Sequence, residues 1–279
     1  MEQPMVSVIC LCYNHERFVR EAVESVLNQT YTTIQLILVD DASTDNTAQV
    51  IQAIKDAHPS IEILILENNV GNCTAFNRGL ALAKGEFVID LAADDILLPN
   101  RITIGVDRLT TVGELYGVHY SDAMLINENG AAIQKHSEKV TVSPMPRGDI
   151  YVAVIAHYFI CSPTMMMRKK VLDELGGYDE ALQYEDFDFW VRSSRNYNYD
   201  YSDEVLIKKR ILKGSLSDLQ FKRKSDHWKS TLCVLKKVKK LNRTSTEDKA
   251  LRNRVWYEVG YHLKRLSFIP AFHFIKLIF

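Results

Sequence analysis

The chain has 279 residues, 47% of them hydrophobic and 25% charged, with 34 lysines and arginines against 35 acids. That balance excludes a collagen-like, disordered or disulfide-stapled chain, and the net charge of −1 gives no general reason to expect nucleic acid as a partner. The five cysteines are scattered and fit no metal-binding spacing; no stretch nears the ~20 apolar residues of a membrane span, and Met1-Glu2-Gln3-Pro4 does not open a secretory signal. A reduced, cytoplasmic protein is expected.

The first hundred residues alternate between two periodicities. Val6 to Leu11 is an apolar, β-branched run that predicts a buried strand. Phe18, Ala22, Val26 and Leu27 then recur at helical spacing. Ile34 to Val39 predicts a second strand ending at Asp40-Asp41, and Ser43 or Thr44 can cap a helix with Val50, Ile51 and Ile54 inside. Ile61 to Leu66 is a third strand, Asn72 to Ala83 a third helix, and Glu86 to Leu91 a fourth strand followed by Asp94-Asp95. Such alternation predicts right-handed βαβ units and an α/β fold with a mostly parallel sheet. Ligands of such sheets lie at the carboxyl ends of the strands, where both acidic turns fall.

The middle is less regular. Asn127 to Gly130 and Pro144 to Gly148 read as turns, Ile160 to Met167 as a strand, and Val205 to Leu212 as a late strand. Basic amphipathic helices follow from about Lys213. Trp228, Leu232, Leu235 and Val238 line one. Ser245 and Asp248 resemble a capping box opening a second, which carries Leu251, Val255, Val259 and Leu263; a third would run from Ala271 to Phe279. From Val205 on, 19 lysines and arginines face 5 acids, so residues 1 to 204 hold 15 against 30.

Several residue groups suggest chemistry. Adjacent carboxylates at Asp94 and Asp95 repel, and a divalent cation bridging to a diphosphate would relieve that repulsion; taken alone, a solvated Asp-Asp turn leading to Pro99 is the simpler explanation. Tyr13 offers a ring face to a base, and Asp40 or Asp41 can accept from a base N–H or a ribose hydroxyl. The first loop, Cys12-Tyr13-Asn14-His15-Glu16, lacks the glycines of a dinucleotide fingerprint, and no phosphate-binding P-loop is present. Glu185 and Asp186 lie among aromatic residues, a setting that raises a carboxylate's pKa toward that of a general base.

In order along the chain, these pieces resemble family 2 glycosyltransferases. The matching segments are Val6-Ser7-Val8-Ile9 with Tyr13-Asn14, Ser25 to Thr30, Val39 to Asp45, Asn69-Val70-Gly71 with Ala75, Asn77 and Gly79, Asp94-Asp95 with Pro99 and Arg101, Gly176 to Glu180, and Glu185-Asp186. The resemblance covers about residues 5 to 217 and implies a GT-A fold over 1–217 with a basic helical region over 218–279. It implies that Tyr13, Asp40, Asp41, Asn77 and Asp94 bind the nucleotide of a sugar donor, with UDP as the expected nucleotide. Asp94 and Asp95 would hold Mn²⁺ or Mg²⁺, Asp186 would deprotonate the acceptor hydroxyl, and Glu185 would orient the acceptor or Asp186. One sugar would move with inversion to a glycan or lipid-linked acceptor, in a setting such as cell-surface polysaccharide biosynthesis. Two departures stand out: Ala92 replaces the first acid of D-x-D-D, and Leu212 replaces the histidine of R-x-H-x-x-S-x-S, leaving Lys213 as a candidate cation near the diphosphate. They keep open the alternative of a non-catalytic nucleotide-sugar-binding or polysaccharide-assembly protein. The basic helices would dock on the acidic domain, form a homodimer contact, or meet the inner face of a membrane through Phe268, Phe272 and Phe274.

Overall fold

The computed structural model describes residues 3–213 and 226–278. The central strand β1 (Val6–Cys12) is buried on both faces, as its unbroken apolar run requires in a parallel sheet. It pairs in parallel with β2 (Ile34–Asp40) and with β4 (Phe87–Ala92), and β2 pairs in parallel with β3 (Glu62–Ile65). Helices α1 (Val19–Leu27), α2 (Thr47–Ala57) and α3 (Asn72–Leu80) make the crossovers. The expected βαβ half is therefore present, with α3 ending earlier than its pattern suggested.

The second half departs from a purely parallel sheet. Strand β5 (Ile96–Leu97) and helix α4 (Arg101–Val112) lead to the long β6 (Tyr116–Ile126). A short hairpin strand β7 (Ala132–Lys135) and helices α5 (His136–Lys139) and α6 (Tyr151–Ala156) follow. The expected strand over Ile160 to Met167 is instead a 3-10 turn and the three-residue β8 (Met166–Arg168), because Pro163 sits in that turn. Helices α7 (Lys169–Leu175) and α8 (Asp186–Ser194) precede β9 (Asn198–Arg210). The sheet runs β3-β2-β1-β4-β8-β6-β9-β5, with β8 antiparallel to both neighbours and β6 parallel to β9.

Alternate side chains of β1 feed two cores. Val6, Val8, Cys10 and Cys12 pack with α1, α2 and α4, whereas Ile9 and Leu11 face α3 and the helices of the second half. Gly79 lets α3 lie flat on that second face: an added Cβ would come within 2.6 Å of Ile9.

The C-terminal region forms three helices, α9 (His227–Leu241), α10 (Ser245–Lys264) and α11 (Phe268–Ile275). The α10 cap is one residue earlier than expected: Thr244 accepts from the Glu247 N–H, and Glu247 accepts from the Thr244 N–H. Val234, Leu235, Val238, Leu251, Val255, Val259 and Phe274 share one hydrophobic cluster with Phe187, Phe189 and Trp190 of α8. The helical region and the sheet thus have a common core, and the boundary expected at 217/218 lies outside the described residues. No helix among the described residues is long and apolar enough to cross a membrane.

Candidate active site

The order β3-β2-β1-β4 reverses direction of growth at β1, which opens a crevice beyond the carboxyl ends of β1 and β4. Tyr13 stands at its rim directly after β1, 45% exposed. The loop that carries it is stitched to the one after β2. Asn14 adopts a left-handed backbone (φ 58°), which asparagine tolerates, and its side chain accepts from the Thr44 N–H at 2.8 Å. Its own N–H donates to the Ser43 hydroxyl at 2.9 Å.

Asp40 and Asp41 are both buried, and each is already engaged. Asp40 accepts from the N–H and the hydroxyl of Ser43, closing the turn. Asp41 accepts from the N–H groups of Val70 (2.7 Å) and Gly71 (3.0 Å), the entry to α3. The Asn69-Val70-Gly71 segment is therefore held by Asp41. Asn77, expected at the nucleotide, is committed elsewhere. Its amide donates to the Tyr178 carbonyl and to Glu180, both at 2.9 Å, and accepts from the Tyr178 N–H. It clamps the Gly176–Glu180 loop, where Gly176 and Gly177 both have positive φ and a Cβ on Gly177 would meet Asn77 at 2.4 Å.

The two adjacent acids after β4 diverge. Asp95 is 2% exposed and accepts from the Arg210 N–H at 2.8 Å; burial, then repulsion from Asp94, push its carboxyl well above the usual range. The Asp94 carboxylate is partly exposed and accepts no hydrogen bond among the described residues. Arg210 braces the turn, donating to the Asp94 carbonyl at 2.9 Å, the Glu128 carbonyl at 2.9 Å and Glu21 at 2.6 Å.

Glu185 and Asp186 open α8, where the helix dipole favours negative charge. Glu185 accepts from the Asn72 side chain at 2.5 Å. Burial, then Asp186 and Asp90, hold its carboxyl well above the usual range. One oxygen of Asp186, Oδ1, is buried with no hydrogen-bond partner among the described residues. The loop behind it is cross-braced. Lys237 of α9 donates to Asp179 and, at 2.6 Å, to Asp188; Arg192 donates to Asp188 at 2.6 Å and to the Gly177 carbonyl at 2.9 Å.

Two residues of the crevice had not been singled out. Asp90 lies within β4, two residues before Ala92 and so on the same side of the strand. The Tyr178 hydroxyl donates to it at 3.2 Å, and burial, aided by Asp186, raises its pKa to about 7. A lone acid inside Phe87-Val88-Ile89-Asp90-Leu91 was the available signal. Lys209 of β9 is next to Arg210 on the opposite side of the strand, and β9 pairs with β5 directly after Asp95. Burial works against its charge, but Cys161, Asp95, Asp186 and Asp94 raise its pKa. Lys213, expected in this role, is exposed; the remainder of the R-x-H-x-x-S-x-S segment lies outside the described residues.

Five acidic side chains (Asp90, Asp94, Asp95, Glu185 and Asp186) thus share the crevice with one partly buried lysine. An anionic diphosphate entering it needs further positive charge. Among the described residues no three His, Cys, Asp or Glu side chains converge as a metal cage. Asp94 alone fits a hard cation such as Mg²⁺ or Mn²⁺ of the kind held by one or two carboxylates and completed by substrate phosphates.

The sequence profile described as Glycosyl transferase family 2 matches residues 7–176. The chain belongs to glycosyl transferase family 2. This transferase is 28% identical over 215 residues to an uncharacterized glycosyltransferase of Methanocaldococcus jannaschii, covering 76% of the chain and 72% of that relative. It is 30% identical over 217 residues to one of Rickettsia prowazekii, covering 75% and 64%. The match thus spans about two thirds of the length of these relatives. Among solved structures, S. aureus TarS 1–349 in complex with UDP-GlcNAc has a TM-score of 0.73 at 20% identity, covering 98% of this chain and 81% of that one. The mannosyltransferase PcManGT of Pyrobaculum calidifontis, in complex with GDP-Man and Mn²⁺, has a TM-score of 0.67 at 17% identity, covering 99% and 74%. The transferase therefore has the GT-A fold.

Proposed function

We propose that this glycosyltransferase moves one sugar, with inversion, from a nucleoside-diphosphate sugar to a hydroxyl of a glycan or lipid-linked acceptor. The observation that carries the reading is that Lys209 lies in the field of both Asp94, after β4, and Asp186, on α8, so the two acids gather around one cation. The nucleotide would stack on Tyr13, with Asp40 and Asp41 shaping the loops around it. UDP is the favoured nucleotide, since TarS binds UDP-GlcNAc in a like fold. A Mn²⁺ or Mg²⁺ ion, held by Asp94 beside Asp95 and by the donor phosphates, would supply charge neutralisation on the leaving diphosphate.

The chain's own residues do the rest. The Asp186 carboxylate takes the acceptor's hydroxyl proton as that oxygen bonds to the anomeric carbon; the bond to the diphosphate oxygen breaks, and its electron pair leaves with the diphosphate. Glu185, whose carboxyl is pushed well above the usual range by burial and by Asp186 and Asp90, adjoins Asp186 and would orient it. Asn77, Arg192 and Lys237 fix the loop on which both acids ride. Lys209 attracts the diphosphate. Assembly of cell-surface polysaccharide is the setting we favour.

Asp186→Asn tests the base assignment: transfer should fall by two orders of magnitude or more while donor binding persists. Transfer at the wild-type rate would refute it. Thermal shifts across a panel of nucleotide sugars, with and without Mn²⁺, test the donor site; no stabilisation by any of them would refute that assignment.

A further inference from the structure

The tail presents a surface that the transfer chemistry does not use. Phe274, expected to be outward, is buried in the core, but its neighbours on α11 are not. Phe268 is 64% exposed, Ile269 70% and Phe272 57%, and Leu266 in the preceding turn is 64% exposed. The apolar stripe continues back along α10 through Leu263 to Trp256, seven residues earlier and so on the same side of the helix. Large aromatic and aliphatic side chains exposed together at the end of a helical hairpin are costly in water.

Charge identifies what covers them. From Lys249 to Ile278 the chain carries six lysines and arginines and one acid, Glu258. That acid is buried and accepts from Arg254 at 2.9 Å, so it offers nothing to a partner. Lys264 is exposed within this stripe, Arg265 stacks on Tyr261 at 4.4 Å, and Lys276 lies 4.4 Å from the Phe272 ring. These cations share the surface with the exposed apolar groups. Their long stems can lie on apolar surface while the charged ends reach anions. Residues 1–204 carry twice as many acids as bases, so the molecule is electrically polarised and an anionic plane would draw the tail toward it.

We propose that the α10–α11 hairpin is a docking surface for an anionic lipid bilayer, with Phe268, Ile269 and Phe272 entering the interface and Lys264, Arg265 and Lys276 meeting headgroup phosphates. Aromatic and aliphatic groups flanked by cations are the composition of an interfacial helix. Docking there has a geometric consequence. Helix α9, which packs on α11, also holds the catalytic loop through Lys237, so the bilayer and Asp186 become fixed relative to one another.

Co-sedimentation of the full chain with vesicles tests this. Binding is expected to vesicles of phosphatidylcholine mixed with phosphatidylglycerol, little to phosphatidylcholine alone, and a decline as salt rises. Lys264→Ala and Arg265→Ala should each lower the partition coefficient about fivefold. Ile269→Glu with Phe272→Glu should lower it at least tenfold. All of these positions are exposed, so an unchanged melting temperature and unchanged donor binding separate lost docking from lost folding. Equal binding to both vesicle types, binding to neither, or variants that bind as well as wild type would overturn the proposal. So would a dimer that the Ile269/Phe272 pair converts to monomer, since the face would then be a contact between copies.

Discussion

Replacing Asp90 by asparagine should stabilise the protein, and by an amount that grows with pH. Asp90 holds its proton in the folded crevice up to about pH 7, whereas its ordinary pKa is 3.8. Below the lower value both states are protonated and the site costs nothing. As pH rises through the interval, the unfolded chain releases the proton and the folded one keeps it, so stability falls. Above the upper value the loss is complete, and the interval corresponds to about 4 kcal/mol. Asparagine cannot ionise, and its carbonyl can still accept from Tyr178, whose hydroxyl bonds Asp90 at 3.2 Å. The variant should match wild type near pH 4 and exceed it by up to ~4 kcal/mol at pH 8, roughly 10 °C in melting temperature for a chain of this size. Urea unfolding followed by tryptophan fluorescence across that range measures the difference. A gap that is flat with pH, or one favouring wild type at high pH, would show that Asp90 does not carry a displaced proton.

Three further outcomes follow from the same geometry. Lys209→Met should lower kcat/KM for the donor at least tenfold, because Asp94, Asp95 and Asp186 lose the cation among them; steady-state kinetics with varied donor would measure it. Gly177→Ala should destabilise by about 1–3 kcal/mol, since positive φ is strained for alanine and the new Cβ would lie 2.4 Å from Asn77. Chemical denaturation reads that cost directly. Thr244→Ala removes the hydroxyl that accepts from the Glu247 N–H at 3.3 Å and should cost about 1 kcal/mol in the same assay.

The first half of the fold was legible because its central strands are buried on both faces and written as continuous apolar runs. Strand β6 was not, although it is the longest partner of β9. Its buried positions include His119, Ser121 and Asp122, polar residues that blur the apolar pattern. They are accommodated by distant partners: Ser202 lies 3.1 Å from His119, and the Ser137 hydroxyl donates to Asp122 at 2.6 Å. Asp94, Asp95, Glu185 and Asp186 were marked by position alone. Their division of labour was not, because only the fold shows that Asp95 accepts from Arg210 while Asp94 is left to the crevice. Asn77 carried the right motif spacing, yet its amide is spent on a loop a hundred residues away. Lys209 was obscured by its neighbours, for Lys208-Lys209-Arg210 reads as a solvated basic run until strand alternation turns its middle member inward.

Lys237 has a consequence for how such enzymes can be rebuilt. It sits on α9, far along the chain from Asp179 and Asp188, and joins both. Exchanging the C-terminal helices for those of a relative, as one might swap a targeting module, would also exchange the strut behind the proposed acceptor base, Asp186. A chimera would need a matching ammonium at that place, or its turnover would change even with every donor-binding residue untouched.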